Sequence, residues 1–538
     1  MSSTFSPQPD RSHVLPSWFW LAAFALSLMV GDAHAQTEPP TELVVVRFDI
    51  FEFRVEGNTV LSTERIERAV APYLGEKRTV ADVELARRAL ETAYRDAGFG
   101  TVLVDTPKQR VNAGVVTLQV VQAQVSRLRV IGAKYYSQGR ILEKVPSLAE
   151  GEVPNFKLVS EQLASVNRSA DRRVTPLLRP GKLPGTTEVD LTVEDQAPVH
   201  GSLELNDKYS ANTTRTRLQA SLRYDNLWQL EHSLGVQVQV SPQDTHEVRV
   251  VSGSYTAPMG TGLLILSAIR SNSNTVAGVG ETTVFGRGNI YGLRRLWVDA
   301  NEVRSHTVTL GADYKHFSED VNVGADQGFS TPIRYLPLSA GYAATVFDKQ
   351  GFWQAGTGVV MALRGLASDQ SEFDNKRFLG QNNFSIFKFD LARTQALPQS
   401  LSLFGKIEGQ VSSQPLISNE QFVAGGVDSV RGYLEATAVG DQGLRASFEL
   451  RSPNFVADSP GVLADLRAHA FFEGAGLWLK SPLPKQDARS GLLSTGFGLR
   501  LRASRYASLA LDLGWALHDA GQTEKGSARL HASGILEF

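Results

Sequence analysis

Few of the 538 residues are suited to covalent chemistry. There is no cysteine, which excludes disulfides, thiolate metal sites and cysteine nucleophiles together. The ten histidines are scattered, and no H-E-x-x-H, Walker loop or G-x-S-x-G elbow occurs. The residue that stands out is Arg431, in Val430-Arg431-Gly432-Tyr433, with Gly425-Gly426 before it and Gly440-Asp441 after it. Its chemistry is recognition: a planar fork that a carboxylate can meet with two charge-assisted hydrogen bonds. Gly432 lets the backbone turn tightly beside it. Read alone, an arginine in such a loop is a solvated residue. These residues describe a protein that is not an enzyme and needs no metal or cofactor.

The elements around that loop, near residues 413–442, alternate strictly. Leu218, Ala220, Leu222 and Tyr224 alternate with Arg217, Gln219, Ser221 and Arg223. Leu444, Ala446, Phe448 and Leu450 alternate with Arg445, Ser447, Glu449 and Arg451. Leu466, Ala468, Ala470 and Phe472 alternate with Arg467, His469, Phe471 and Glu473. A large soluble sandwich would also alternate, but segments of about 9–11 residues match a bilayer crossing, and soluble strands are usually shorter. The last segment, through Leu530, Ala532, Gly534 and Leu536, alternates up to Phe538. A final strand ending in Phe is what outer-membrane barrels present to their assembly machinery, so Phe538 is the candidate assembly signal. About sixteen such segments occur, an even number as single-chain bacterial barrels require. Lipid takes the apolar face, the lumen takes the charged one, and closure pairs every backbone group. Arg467, His469, Phe471 and Glu473 then share the lumen face.

Before residue 197 the pattern mixes helix and strand, twice over, in the order strand, helix, helix, strand, strand. In the first copy residues 48–55 read as a strand, 63–74 and 80–97 as helices, and 101–104 and 115–121 as strands. In the second, 128–132, 174–178 and 188–193 read as strands, and 139–145 and 156–168 as helices. Each is a small α+β module that leaves an edge strand available. Ahead of them, Arg11, an apolar stretch from Trp18 to Val30, and Ala33-His34-Ala35 before Gln36 read as an export signal with its cleavage site. The division expected is therefore a signal at 1–35, a short segment at 36–46, modules at 47–123 and 124–196, and a barrel at 197–538. The net charge of -2 offers no field for nucleic acid.

Two such modules before a barrel, and Val430-Arg431-Gly432-Tyr433 in a long loop after the eleventh segment, resemble the two-partner secretion outer-membrane transporters. This is the TpsB family, the ShlB/FhaC/HecB-type haemolysin secretion/activation proteins of the POTRA-barrel superfamily. The modules resemble its POTRA domains. Tyr224-Asp225-Asn226-Leu227-Trp228, followed by His232 and Pro242, resembles the start of its barrel. The resemblance covers essentially the whole mature chain.

It implies a membrane all-β fold, an antiparallel transmembrane barrel of about sixteen strands behind two periplasmic α+β POTRA domains. It further implies that the long loop folds back into the lumen. There the loop arginine meets an acid in an F-x-D-x-G motif on the thirteenth strand. The matching stretch here, Phe471-Phe472-Glu473-Gly474-Ala475, has Glu for Asp and Ala for the last Gly. Glu473 is one methylene longer, which moves its carboxylate by about 1 Å. Many members begin with a helix that plugs the barrel. The stretch of about a dozen residues after Gln36, at most about 3.5 Å each, is too short for one.

By the same resemblance the modules capture an unfolded TpsA-type exoprotein, an adhesin, haemolysin or toxin, which crosses to the surface without ATP. An extended segment can add to an edge strand through main-chain hydrogen bonds. The candidates are Thr101, Val102, Leu103 and Val104 in the first module and residues 174–178 in the second. Other partners are outer-membrane lipid and the barrel-assembly machinery. The alternatives are a barrel-assembly insertase of the same superfamily, usually with more modules, and a passive porin.

Overall fold

The computed structural model describes residues 46–538 apart from 212, 274–275, 280–281, 319, 323–327 and 458–462. The expected export signal, and the segment after it for which no plug helix is expected, lie outside the described residues, save Val46. Among the described residues no helix is long and apolar enough to cross a membrane.

The first module runs β1 (Arg47–Ile50), β2 (Glu52–Glu56), α1 (Thr63–Val70), β3 (Gly75–Thr79), α2 (Val80–Asp96), β4 (Leu103–Asp105) and β5 (Val115–Val121). β5 lies between parallel β2 and antiparallel β4. Its alternation buries Val116, Leu118 and Val120, and α2 buries Val83, Ala86, Leu90 and Tyr94. A capping box of Thr79 and Asp82 starts α2. The helix expected over 63–74 ends at Val70, because Pro72 has no N–H to continue it and residues Ala71–Tyr73 tighten into a 3-10 turn. β3 pairs with β1. Its sequence, Gly-Glu-Lys-Arg-Thr, has no apolar alternation to announce a strand.

The second module repeats the topology with β6 (Gln124–Ile131), α3 (Gln138–Glu143), α4 (Phe156–Val166), β7 (Arg172–Pro180) and β8 (Thr186–Asp195), in the order β6-β8-β7. Val125, Ile141, Leu148, Val159, Val174, Val189 and Leu191 make its core.

Sixteen antiparallel strands then close a barrel. The first, Val199–Asn206, pairs with the last, Ala528–Glu537, through Ser202–Asn206 opposite 533–537. Leu444, Phe448 and Leu450 on the twelfth strand, Gln442–Arg451, are among the apolar side chains turned outward, where lipid would cover them. Strand lengths reach 16 and 17 residues in the eighth (Ile333–Asp348) and ninth (Gly351–Ala367), beyond the segments of 9–11 that the bilayer requires. That hairpin continues past the membrane-spanning girdle.

The second module and the barrel form one compact unit. The turn between the second strand (Arg217–Leu227) and the third (His232–Val240) carries three left-handed residues, Trp228, Gln229 and Glu231. Such conformations cost of order 1–3 kcal/mol each; Trp228 packs against His232 and Tyr255 of the barrel, and the module supplies contacts to the other two. Glu231 accepts from Arg172 Nη2 at 2.7 Å and Lys144 Nζ at 2.5 Å. Gln229 accepts from Ser137 N at 2.8 Å and donates to Tyr135 O at 3.0 Å.

The lumen is not uniformly wet. At the end away from the module, Val250, Ile269, Ile290, Phe317, Ile333 and Tyr335 pack with Phe384, Ile386, Leu416 and Ile417. Phe373 of a short helix, α5 (Gln370–Lys376), joins them. This apolar collar sits where alternation alone had indicated a polar lining.

Candidate functional site

The eleventh strand (Ser402–Ser412) and the twelfth are joined by a loop that folds into a finger. Its shaft is a small hairpin, Phe422–Ala424 paired with Ala438–Gly440. Its base is built on two buried acids. Asp441 accepts from Leu416 N (3.0 Å), Gln421 Nε2 (3.0 Å) and Lys480 N (2.7 Å). Glu420 accepts from Lys315 Nζ (2.5 Å) on the seventh strand, Arg304–Phe317, and from Tyr335 Oη (2.7 Å) on the eighth. Leu416 and Ile417 enter the apolar collar.

The tip lies against the thirteenth (Leu463–Trp478), fourteenth (Arg489–Ala503) and fifteenth (Ala507–Ala516) strands. Val430 and Tyr433 are buried with Ala475, Leu477, Leu492 and Ala516. Tyr433 Oη reaches the carbonyls of Leu493 (3.0 Å) and His518 (2.8 Å). Gly432 has φ +91°, and a Cβ there would press on the backbone of Gly514, Trp515 and Ala516 at 3.2–3.3 Å. Only glycine combines that conformation with that approach.

Arg431, 3% exposed, is gripped on all sides. Its backbone N donates to Glu473 Oε2 at 2.8 Å and its Nε to Oε1 at 3.1 Å, and Nη2 also donates to Glu473. Nη2 donates to Glu449 Oε1 at 2.6 Å and Nη1 to Asp512 Oδ1 at 3.0 Å. The Phe471 ring lies under the guanidinium, 3.7 Å from ring centroid to Cζ. His469 Nε2 stands 3.1 Å from Nη1 and 2.8 Å from Asp512 Oδ1. Arg451 pairs with Glu449, and Arg500 with Asp512 at 2.8 Å. Three carboxylates thus face three guanidinia, which satisfies charges that would be costly if buried singly. Ser447 Oγ also donates to Glu473 Oε1 at 3.0 Å, and the arrangement can hold a loop in place.

Val430, Arg431, Gly432, Tyr433, Phe471 and Glu473 all meet at this tip. Glu449, Asp512 and His469 are partners that sequence reasoning did not assign. The signal was present, since Glu449 and His469 carry lumen parity and Asp512 sits between Leu511 and Leu513.

The strand candidates in the first module are divided. Leu103 and Val104 belong to β4, an edge strand of three residues, while Thr101 and Val102 precede it. That edge is partly covered: Arg87 Nη1 donates to Val104 O at 3.0 Å. Beyond β4, the Gln109 amide takes both backbone groups of Thr117 on β5, each at 2.7 Å. In the second module β7 is an edge strand carrying Pro176 and Pro180, which lack donors. Phe538 exchanges two 3.0 Å hydrogen bonds with Gly201, and its ring covers the place a Gly201 Cβ would take.

Two α+β modules ahead of a closed sixteen-strand barrel with a finger in its lumen define a POTRA-barrel protein of the outer membrane. A model of the haemolysin secretion/activation proteins ShlB/FhaC/HecB matches residues 185–501, more than half of the chain, and one of the ShlB-type POTRA domain matches residues 48–123. The chain is 22% identical over 477 residues to the outer membrane transporter CdiB of Dickeya dadantii (strain 3937), covering 87% of this chain and 83% of that one. The solved structure of CdiB from Escherichia coli aligns with a TM-score of 0.62 at 20% identity, over 95% of this chain and 93% of that one. BamA from Haemophilus ducreyi lacking POTRA domains 1-3 aligns with a TM-score of 0.56 at 14% identity, over 91% and 100%, a likeness of fold. The chain belongs to the haemolysin secretion/activation family ShlB/FhaC/HecB. It is an outer-membrane transporter of the TpsB type for two-partner secretion, with POTRA domains in the periplasm and a secreted exoprotein as partner.

Proposed function

We propose that the modules capture the unfolded exoprotein and that the barrel passes it to the cell surface or medium without ATP. The finger tip leaves its seat to open the path, while the base stays as a hinge. On this proposal residues 1–35 are a cleaved export signal, 47–123 and 124–196 the capturing modules, and 197–538 the pore. The edge strands β4 and β7 are the capture candidates, β4 offering main-chain pairing once Arg87 gives way. Phe538 is read by the barrel-assembly machinery. The cargo is an adhesin, a haemolysin or a toxin.

The observation that carries the proposal is the seat of Arg431. A buried arginine with three carboxylate partners holds a loop across a lumen that cargo would have to pass. Such contacts are directional and can be exchanged for water or peptide, which suits a plug that reseats. The test is export of a large exoprotein encoded beside this gene, assayed in the medium for wild type and Arg431→Ala. The expected result is export that collapses in the variant with the barrel still inserted. Unchanged export would remove the tip from the mechanism. No export by the wild type, together with loss of other barrels on depletion, would favour the insertase instead.

A further inference from the structure

Away from the finger tip, three side chains converge where the second module meets the barrel, His200 and Asp225 on the lumen parity of their strands. Asp171 immediately precedes β7, His200 lies on the first barrel strand and Asp225 on the second. His200 Nε2 is 2.9 Å from Asp171 Oδ2 and 3.4 Å from Asp225 Oδ2, and the three ligand atoms all lie within 4.8 Å of one another. One imidazole nitrogen carries at most one proton, so it cannot donate a good hydrogen bond to both carboxylates. His200 answers Asp171 and Arg223 answers Asp225, whose Oδ2 would exchange the Arg223 hydrogen bond for a metal bond.

We propose that Asp171, His200 and Asp225 form a site for a divalent transition metal of the zinc type. Zinc bound to imidazole and carboxylate at about 2.0–2.2 Å in tetrahedral geometry sets its ligand atoms roughly 3.4 Å apart. Two of the three edges already lie within about half an ångström of that value. The supporting shell is in place: Gln196 Nε2 donates to the other oxygen of Asp171 at 2.9 Å, leaving Oδ2 free to ligate. Arg223 holds Asp225 through Nε at 2.8 and 2.9 Å and returns one positive charge to the site. With His200 neutral, the two carboxylates and Arg223 leave a net negative charge for the ion. Asp171 is closed off at 2% side-chain exposure, whereas His200 at 32% leaves an entry path and a fourth position for water. The single imidazole favours zinc over calcium or magnesium, which prefer all-oxygen shells. Because Asp171 belongs to the module and its partners to the barrel wall, the ion would fasten one to the other.

The test uses the full-length, tag-free protein in detergent, titrated with Co2+ alone and then with Zn2+. The expected result is the visible absorption of four-coordinate Co2+, saturating at one ion per chain and bleached by Zn2+. His200→Ala should abolish it. Gln196→Ala, which touches no ligand atom on the metal side, should weaken binding about 10–100-fold. Heat-modifiable mobility confirms that each variant remains a folded barrel. No Co2+ band in the wild type, or a band that survives His200→Ala, would overturn the proposal and leave His200 as a hydrogen-bond bridge to Asp171.

Discussion

The finger is held at its two ends by different physics. At the tip, Arg431 is bound through hydrogen bonds to Glu473, Glu449 and Asp512 beside the Phe471 ring, and the aliphatic side chains of Ala475, Leu477, Leu492 and Ala516 pack against Val430 and Tyr433. At the base, Leu416 and Ile417 are packed among Phe373, Phe384 and Tyr335, with Asp441 and Glu420 fixing the backbone. Water or an arriving chain can replace the polar contacts. Nothing but another apolar surface replaces the packed ones, and opening them exposes hydrocarbon at about 25 cal/mol per Å². On the proposed mechanism, the charged cluster at the tip is the part that releases and the aromatic packing at the base is the hinge.

Arg431→Ala breaks this contrast most severely. It leaves three carboxylates without the tip's cation, a loss of about 3–5 kcal/mol for the seated finger. Limited proteolysis of intact outer membranes should cut the loop in the variant and spare it in the wild type. Leu416→Ala attacks the base instead, at a cost of about 2–5 kcal/mol. It should lower the melting temperature of the barrel yet reduce export less than Arg431→Ala does. Equal loss of export in both would remove the distinction between tip and base.

Glu473→Asp sharpens the comparison. The shorter carboxylate cannot serve both the Arg431 backbone N–H and the guanidinium as Glu473 does. A loss of about 1 kcal/mol and largely retained export are expected, whereas Glu473→Ala should follow Arg431→Ala. The smallest effect is expected at Glu231, far from the finger. Burial alone would raise its carboxyl, but the hydrogen bonds from Lys144 and Arg172 outweigh it and hold it below the usual carboxylate range. Its contribution is therefore complete above the ordinary carboxylate pKa and is lost as pH falls through the depressed folded value. Melting curves from neutral to acidic pH should show this loss in the wild type and a flatter profile in Glu231→Gln.

The barrel was legible because lipid imposes period two on every crossing, and the parity of Glu473 followed from its neighbours Phe472 and Ala470. The pairing of Arg431 with Glu473 came from a family resemblance. That Glu449 and Asp512 reach the same guanidinium depends on strand tilt and stagger, which no local pattern encodes. The collar left a trace that alternation reading passes over: adjacent apolar pairs such as Val250-Val251 and Ile386-Phe387, where both faces are greasy. β3 left none, since a polar five-residue strand between two helices has no buried face to mark it.

The most direct measurement of the central claim is the conductance of the purified protein in planar bilayers, wild type against Arg431→Ala. A finger held shut through Arg431 predicts a mostly closed wild type and a variant that conducts through long openings. Indistinguishable traces from two correctly inserted barrels would contradict it.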